Sequence, residues 1–356
     1  MMVFRPSLSL SDREEILTSL LTRGVIDDPI LISCVERLKR RFVDYLFAYR
    51  YPLWAPGLVI ENEMRAMTDL IFPLNKVQNV LQRFLTCSLC YSPPSSAQII
   101  FRAASWLDLA ARLSPFVVNP DPSHLLTRLM VDEEIRRSFL FSVLVPRHHG
   151  GDFVRYPGQY AFLRQWLGYE SGFNRNSKKF RCLDAACGDG TGTYTLLELL
   201  LEEGVATSRL EVVGSSIEPL ELVSAACCYF PHAEGREAYV RRKVEPFFRL
   251  GATECLNFYQ EDLRGGADNI GRGYRVIVCN GLLGGPIMHS ISEIATVVKH
   301  LVERLESGGI ILCANRFHEG WRKRGVERAL AEIFRSNGLQ ATDAGEGVAG
   351  MLPRTG

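Results

Sequence analysis

Two spacings of apolar residues divide the chain. Up to about residue 145 the apolar positions recur at helical intervals, with little strand-like alternation. SLSDREEILTSLLTRG, residues 9–24, opens on a Ser/Asp cap signal, places acids in its first turn and predicts a stop at Gly24. DPILISCVERLKRRFVDYLFAYRY, residues 28–51, puts Ile32, Val35, Leu38, Phe42 and Leu46 on one helical face. Proline-bearing breaks follow at LWAPGL, SPPSS and NPDPSH. From about residue 146 the pattern changes to short apolar or β-branched runs separated by helical stretches. These runs are RCLDAA, LEVVGSSI, CLNFYQEDL, YRVIVCN and GGIILCANRF. Strand alternating with helix predicts βαβ units and a mostly parallel sheet. The expected plan is an α-helical domain over residues 1–145 and an α/β, Rossmann-like domain over 146–356.

Composition changes little in this picture. With 356 residues the chain has room for two cores, and Lys+Arg 41 against Asp+Glu 40 leaves a net charge of +1. No overall field draws nucleic acid or an anionic membrane, so no nucleic-acid partner is expected. No apolar run reaches the length of a membrane span, and a cytoplasmic location without membrane insertion is expected. The basic cluster Arg37, Lys39, Arg40 and Arg41 has acids beside it at Glu36 and Asp44, which suits a solvated helix face. The ten cysteines lie scattered in apolar stretches, as buried reduced thiols would. Cys87 and Cys90 have CxxC spacing but no second ligand pair, so they are expected in a helical core stripe with Leu85 and Leu89, and no metal site is expected.

The candidate chemistry lies in LDAACGDGTG, residues 183–192, where an acid ends a strand-like run and Gly188, Gly190 and Gly192 alternate after it. In a parallel sheet, ligands bind beyond the carboxyl ends of the strands, where such a loop lies. Glycine admits positive φ and the close approach of a ligand to the backbone. A bare strand-to-helix turn is the competing account. The dinucleotide pattern G-x-G-x-x-G/A fails at Thr193, and no G-x-x-x-x-G-K-[ST] occurs. A cofactor without a pyrophosphate, with an amino-acid tail and an adenosine, fits better: S-adenosylmethionine.

LDAACGDGTG resembles the first motif of class I S-adenosylmethionine-dependent methyltransferases. The order of VVGSSIEPLELVSAA, LNFYQEDL, YRVIVCNGLL and LVERLESGGIILC resembles the rest of that family across residues 180–315. Upstream, GGDFVRYPGQYAFLRQWL is similar to the segment before the cofactor loop in CheR-type protein-glutamate methyltransferases, which also carry a helical domain first. Cys187, Tyr194, the EDL at 261–263 and Asn280 are further local matches. Three departures stand out: GTGT replaces that family's TGEE, Ser216 occupies the position of its ribose-holding acid, and Gly151 replaces its threonine.

The resemblance implies roles for particular residues. Asp184 would orient the ammonium of the methionyl tail, and Gly188, Gly190 and Gly192 would admit the cofactor. Glu218 would accept from the ribose hydroxyls, although a cap of the helix starting at Pro219 explains it equally. Asp262 and Leu263 would take the adenine edge and ring, with a turn-capping acid as the alternative. Arg155 would lie at the active site, pairing with a carboxylate of the acceptor or of the cofactor; a plain surface arginine is the alternative. Asn280 would contact the cofactor and, with the following GLLGGP, line the acceptor site, the glycines equally suiting a mobile cover. His148, His149 and His289 are the imidazoles near these segments, and solvent-exposed or core-satisfied histidines account for them. The expected activity is methyl transfer to a carboxylate, with the methyl acceptor itself unidentified. A small-molecule methyltransferase and a non-catalytic S-adenosylmethionine-binding module are the alternatives.

Overall fold

A computed structural model describes residues 2–48, 59, 61–93, 98–145, 153–169, 179–266, 270–285, 288–314 and 326–354. The chain divides into two compact units. One comprises Leu10–Pro146 with Phe230–Ala233, the other Met1–Ser9, Arg147–Tyr229 and Glu234–Gly356. Two short segments thus leave the half with which the sequence pattern groups them.

The first unit contains α1 (Leu10–Leu20), α2 (Pro29–Ala48), α3 (Asn62–Ile71), α4 (Leu74–Ser88), α5 (Gln98–Phe101), α6 (Trp106–Arg112), α7 (Pro122–Val131) and α8 (Glu133–Leu144). The buried face of α2 is Leu31, Val35, Leu38, Phe42 and Tyr45. The sequence pattern named the middle of this stripe, but Ile32 is 40% and Leu46 48% exposed. Tyr45 displaces Leu46 because its ring packs on Phe42 and Phe72 and its hydroxyl meets Thr68 Oγ1 at 3.2 Å. Arg37, Lys39, Arg40 and Arg41 are exposed. Asp132 caps α8 by accepting from the Ile135 N–H, and the buried Arg136 donates to the carbonyls of Thr22, Gly24, Leu129 and Met130. A guanidinium has five donors in a planar fork, which suits it to gathering chain ends whose carbonyls lack helical partners. The helix before Gly24 ends at Leu20, and the Gly24 carbonyl is one of those Arg136 holds.

The second unit contains β1 (Val3–Phe4), α9 (Pro157–Tyr169), β2 (Phe180–Ala185), α10 (Thr191–Glu202), β3 (Leu210–Ser216), α11 (Pro219–Cys227), α12 (Glu234–Arg249), β4 (Leu256–Gln260), β5 (Tyr274–Val278), α13 (Ile291–Val302), β6 (Leu305–Ala314), α14 (Val326–Ser336), β7 (Gln340–Asp343) and β8 (Gly347–Met351). The strands form one sheet in the order β1-β4-β3-β2-β5-β6-β8-β7. Strands β4, β3, β2, β5 and β6 run parallel, whereas β1, and β8 against both its neighbours, pair antiparallel. The expected α/β, mostly parallel architecture is present. The edge strand β1 and the hairpin β7–β8 were not expected, because two residues, or QATD and GVAGM, carry no strand pattern distinct from a loop.

One face of the sheet supplies Leu183, Val213, Ile277 and Ile311 to a core shared with Val297, Val298 and Leu301 of α13. The chain leaves β2 for β3 on one side and later returns to β5 on the other, so β2 and β5 flank a switch point of the kind where ligands bind in open α/β sheets. Among the described residues no helix is long and apolar enough to cross a membrane.

Candidate functional site

Asp184 lies one residue from the end of β2, level with Gly214 of β3 and Val278 of β5. Its carboxylate is 5% exposed and accepts from Thr193 Oγ1 at 2.7 Å. Among the described residues no cation pairs with it. Burial pushes its pKa up to about 7; the Thr193 hydrogen bond opposes that rise and the charge of Asp189 adds to it.

After β2 the backbone turns through Ala186 at φ 63°, Gly188 at φ 55° and Gly190 at φ 81° before α10 begins. Ala186 is a non-glycine residue in the left-handed region, a placement that costs about 1–2 kcal/mol. Strain of this kind persists where surrounding structure imposes it, here at the head of the loop. The Cys187 N–H donates to the Ser215 carbonyl at 2.8 Å, tying the loop to β3.

The three glycines differ in what their missing side chains leave. At Gly188 a Cβ would meet nothing within 4 Å, so that side of the loop is open. At Gly190 it would lie 2.6 Å from Ala225 Cβ and 3.3 Å from Phe258, so this glycine lets α11 and β4 pack against the loop. At Gly192 it would lie 3.2 Å from Asp184 Oδ2, so the first turn of α10 closes over the buried carboxylate. Asp189 accepts from Thr191 Oγ1 at 2.9 Å and forms an ion pair with Arg236 of α12.

The residues expected around the cofactor separate into different environments. Glu218 is buried and caps α11, its Oε1 accepting from the Leu220 N–H at 3.0 Å. Asp262 caps the short turn Leu263–Gly265, accepting from the Arg264 N–H at 3.0 Å and pairing with the Arg264 guanidinium at 2.7 Å. That arginine holds the Asp262 carboxyl below its ordinary range. Leu263 belongs to the apolar core. The turn-capping alternatives for Glu218 and Asp262 are the contacts the geometry displays.

Asn280 is similarly engaged. Its Nδ2 donates to Gln159 Oε1 at 2.8 Å, while its Oδ1 accepts from Gln159 Nε2 at 3.1 Å and from the Ala314 N–H at 2.6 Å. This reciprocal amide pair joins α9 to the ends of β5 and β6. The start of α9 has a second anchor: Glu346 accepts from the backbone N–H of Gly158 at 3.1 Å and of Gln159 at 2.8 Å. An acid at a helix N-terminus satisfies orphan donors and complements the dipole. Sequence reasoning missed Gln159 and Glu346, since neither has a local pattern that points to a partner more than a hundred residues away.

Those anchors hold Arg155 and Tyr156 at the carboxyl edge. The Arg155 guanidinium packs 5.1 Å from the Tyr156 ring centre, and its Nη1 lies 3.8 Å from where a Gly281 side chain would begin. Arg155 is half-buried, and among the described residues its Nε and the buried Tyr156 hydroxyl have no hydrogen-bond partner. Asp184, Asn280 and Arg155 therefore lie on the ends of β2, β5 and the approach to α9. After Asn280, Gly281 and Gly284 adopt positive φ, and the Gly284 N–H donates to the Met288 carbonyl at 2.8 Å. Leu283 and Met288 are buried in the core, anchoring the turn that the glycines permit. His289 is exposed; His148, His149 and Gly151 lie outside the described residues.

Another buried pair was not anticipated. Arg304 donates to both oxygens of Glu261, at 3.0 and 2.5 Å, and to the Gly266 carbonyl at 2.6 Å, with both charged side chains fully buried. It joins the loop after β4 to the turn before β6. All ten cysteines are free, seven of them buried; Cys90 is exposed beyond the end of α4, outside the expected helical stripe.

Comparisons with solved structures return methyltransferases at low identity. A magnesium protoporphyrin IX methyltransferase from Synechocystis PCC 6803 with bound S-adenosylmethionine is 16% identical over 62% of this chain and 98% of its own, with a TM-score of 0.36. An amino pentose methyltransferase from Micromonospora echinaspora is 14% identical over 55% and 92%, with a TM-score of 0.34. An rRNA-methylase candidate from Clostridium thermocellum is 15% identical over 53% and 97%, also at 0.34. Likenesses this distant carry no argument about activity or acceptor. No protein-family model and no curated protein matches the chain.

Proposed function

We propose that this chain is an S-adenosylmethionine-dependent methyltransferase that acts on a carboxylate, in the manner of CheR-type protein-glutamate methyltransferases. The observation that carries the proposal is Asp184. A buried carboxylate that has, among the described residues, one hydroxyl partner and no cation, beside a loop open at Gly188, suits a ligand that brings its own ammonium. The cofactor contributes a methyl group on a sulfonium, already charged and already provided with its leaving group.

The chain's own residues then bind and orient. Asp184 receives the ammonium, and Gly188 lets the loop backbone approach the tail. Tyr160 donates to the Gly192 carbonyl at 3.3 Å and keeps the entry to α10 in place beside Asp184. Arg155, with an unused Nε and no carboxylate partner among the described residues, is suited to holding the carboxylate that accepts the methyl group. Such an acceptor is deprotonated at neutral pH, so its orientation and the exclusion of water supply the catalysis and no general base is required.

Calorimetric titration of the full chain with S-adenosylmethionine and its demethylated product tests the first part. Binding that Asp184→Asn weakens by roughly tenfold to a hundredfold is expected; no binding by folded wild-type chain overturns it. Labelled methyl transfer tests the second part. Label entering protein and lost in mild base, as an ester is, is expected. Label in a base-stable product refutes the carboxylate acceptor, label in a small molecule or in RNA refutes the protein acceptor, and binding without any transfer refutes turnover.

A further inference from the structure

Ser216 ends β3 where the resembling family places the acid that holds the ribose diol. A hydroxyl has one donor and two acceptor positions, and here its donor and one acceptor are engaged. Ser216 Oγ donates to Glu221 Oε2 at 2.5 Å and accepts from the Glu218 N–H at 3.2 Å. It is therefore a poor receptor for two further O–H donors.

Three acids stand around this strand end. Asp189 is paired with Arg236, and the Glu218 carboxylate caps α11 at Leu220. Glu221, in the first turn of α11, is half-buried and has Ser216 as its only hydrogen-bond partner among the described residues. A carboxylate can accept about four hydrogen bonds. Among the described residues most of the accepting capacity of Glu221 is unused, and no cation offsets its charge. Burial accordingly pushes the Glu221 carboxyl up to about 7, with the charge of Asp189 adding to the rise and the Ser216 hydrogen bond opposing it.

We infer that Glu221, positioned by Ser216, is the receptor for the vicinal ribose hydroxyls of an adenosine cofactor, so that a serine at the strand end and a glutamate in the first turn of the following helix replace the single acid. This inference rests on the methyltransferase proposal. Two adjacent hydroxyls can donate to the two oxygens of one carboxylate, supplying the partners that Glu221 otherwise lacks. The Cys187 bond to Ser215 holds the glycine loop against the same strand, so the tail-binding and ribose-binding elements share one scaffold.

The test is calorimetric titration of the full chain with S-adenosylhomocysteine and its 2′-deoxy and 3′-deoxy analogues. Wild type is expected to bind the parent compound roughly tenfold to a hundredfold more tightly than either analogue, the effect of one hydrogen bond to a charged group. Glu221→Ala should weaken the parent compound and lose most of the discrimination, Ser216→Ala should lose part of it, and Ser216→Asp in the Glu221→Ala background should restore it. Full discrimination retained by folded Glu221→Ala, or lost only in Glu218→Ala, overturns the assignment. If Glu221→Ala does not fold, unchanged discrimination in Ser216→Ala overturns it instead. Wild type that binds the parent compound without discriminating the analogues refutes this inference alone. Wild type that binds neither S-adenosylmethionine nor its product refutes the methyltransferase proposal as well.

Discussion

Asp184→Asn should stabilise the protein at neutral and alkaline pH while impairing ligand binding. The carboxyl has its pKa moved from 3.8 to about 7 because burial penalises its charged form. Between those values the folded state holds a proton that the unfolded chain has released, so stability falls as pH rises and levels off above about 7. At about 1.4 kcal/mol for each factor of ten, the ionised group costs up to about 4 kcal/mol at pH 8 relative to pH 4. Asparagine keeps an oxygen for the Thr193 hydroxyl, which now donates at 2.7 Å, but adds an amide that needs a partner of its own. That unmet donor offsets about 1–3 kcal/mol of the gain. The expected net effect is a variant about 1–3 kcal/mol more stable than wild type at pH 8, with the advantage shrinking as pH falls and reversing toward pH 4. Urea unfolding of both proteins at matched pH, with the α/β unit followed separately because a two-unit chain need not unfold in one step, measures it. An advantage independent of pH, or a variant less stable at pH 8, would refute the view of Asp184 as an acid buried for a ligand.

The two turn glycines should respond differently to the same methyl group. Gly190→Ala meets Ala225 at 2.6 Å in addition to its left-handed backbone and should destabilise by about 2–5 kcal/mol, losing any binding through the fold. Gly188→Ala meets only backbone strain of about 1–2 kcal/mol, and a loss of cofactor affinity without loss of folded structure is expected there; calorimetry with a melting curve on each variant separates the cases. Glu261→Gln leaves the fully buried Arg304 without its counter-charge and should cost about 3–5 kcal/mol, whereas Glu261→Leu with Arg304→Met should cost much less. Equal losses in the single and double variants by urea titration would show that packing, not charge, decides that site.

The order of strands and helices from 180 to 315, the glycine loop and Asp184 were legible because each depends on residues adjacent in sequence. A buried strand needs a short apolar run, and a positive φ needs glycine or tolerates strain. Among the described residues, helices α1 to α8 were legible for the same reason, down to three of the five positions on the buried face of α2. What the sequence left open was the partner of each polar group. Glu218, Asp262 and Asn280 carry chemistry that suits a cofactor or acceptor, yet their contacts are a helix end, Arg264 and Gln159. Ser216 reads as a lost acid until Glu221 is found against it. The position of β1 beside β4 was likewise undecided, since Val3 pairs with Tyr259. Sequence alone determined the local propensities and the composition of the loop; the tertiary structure decided which charges are neutralised and which buried groups remain for a ligand. The physical reason is that a hydrogen bond or ion pair depends on separation in space, and chains that differ little in local pattern can bring different residues together.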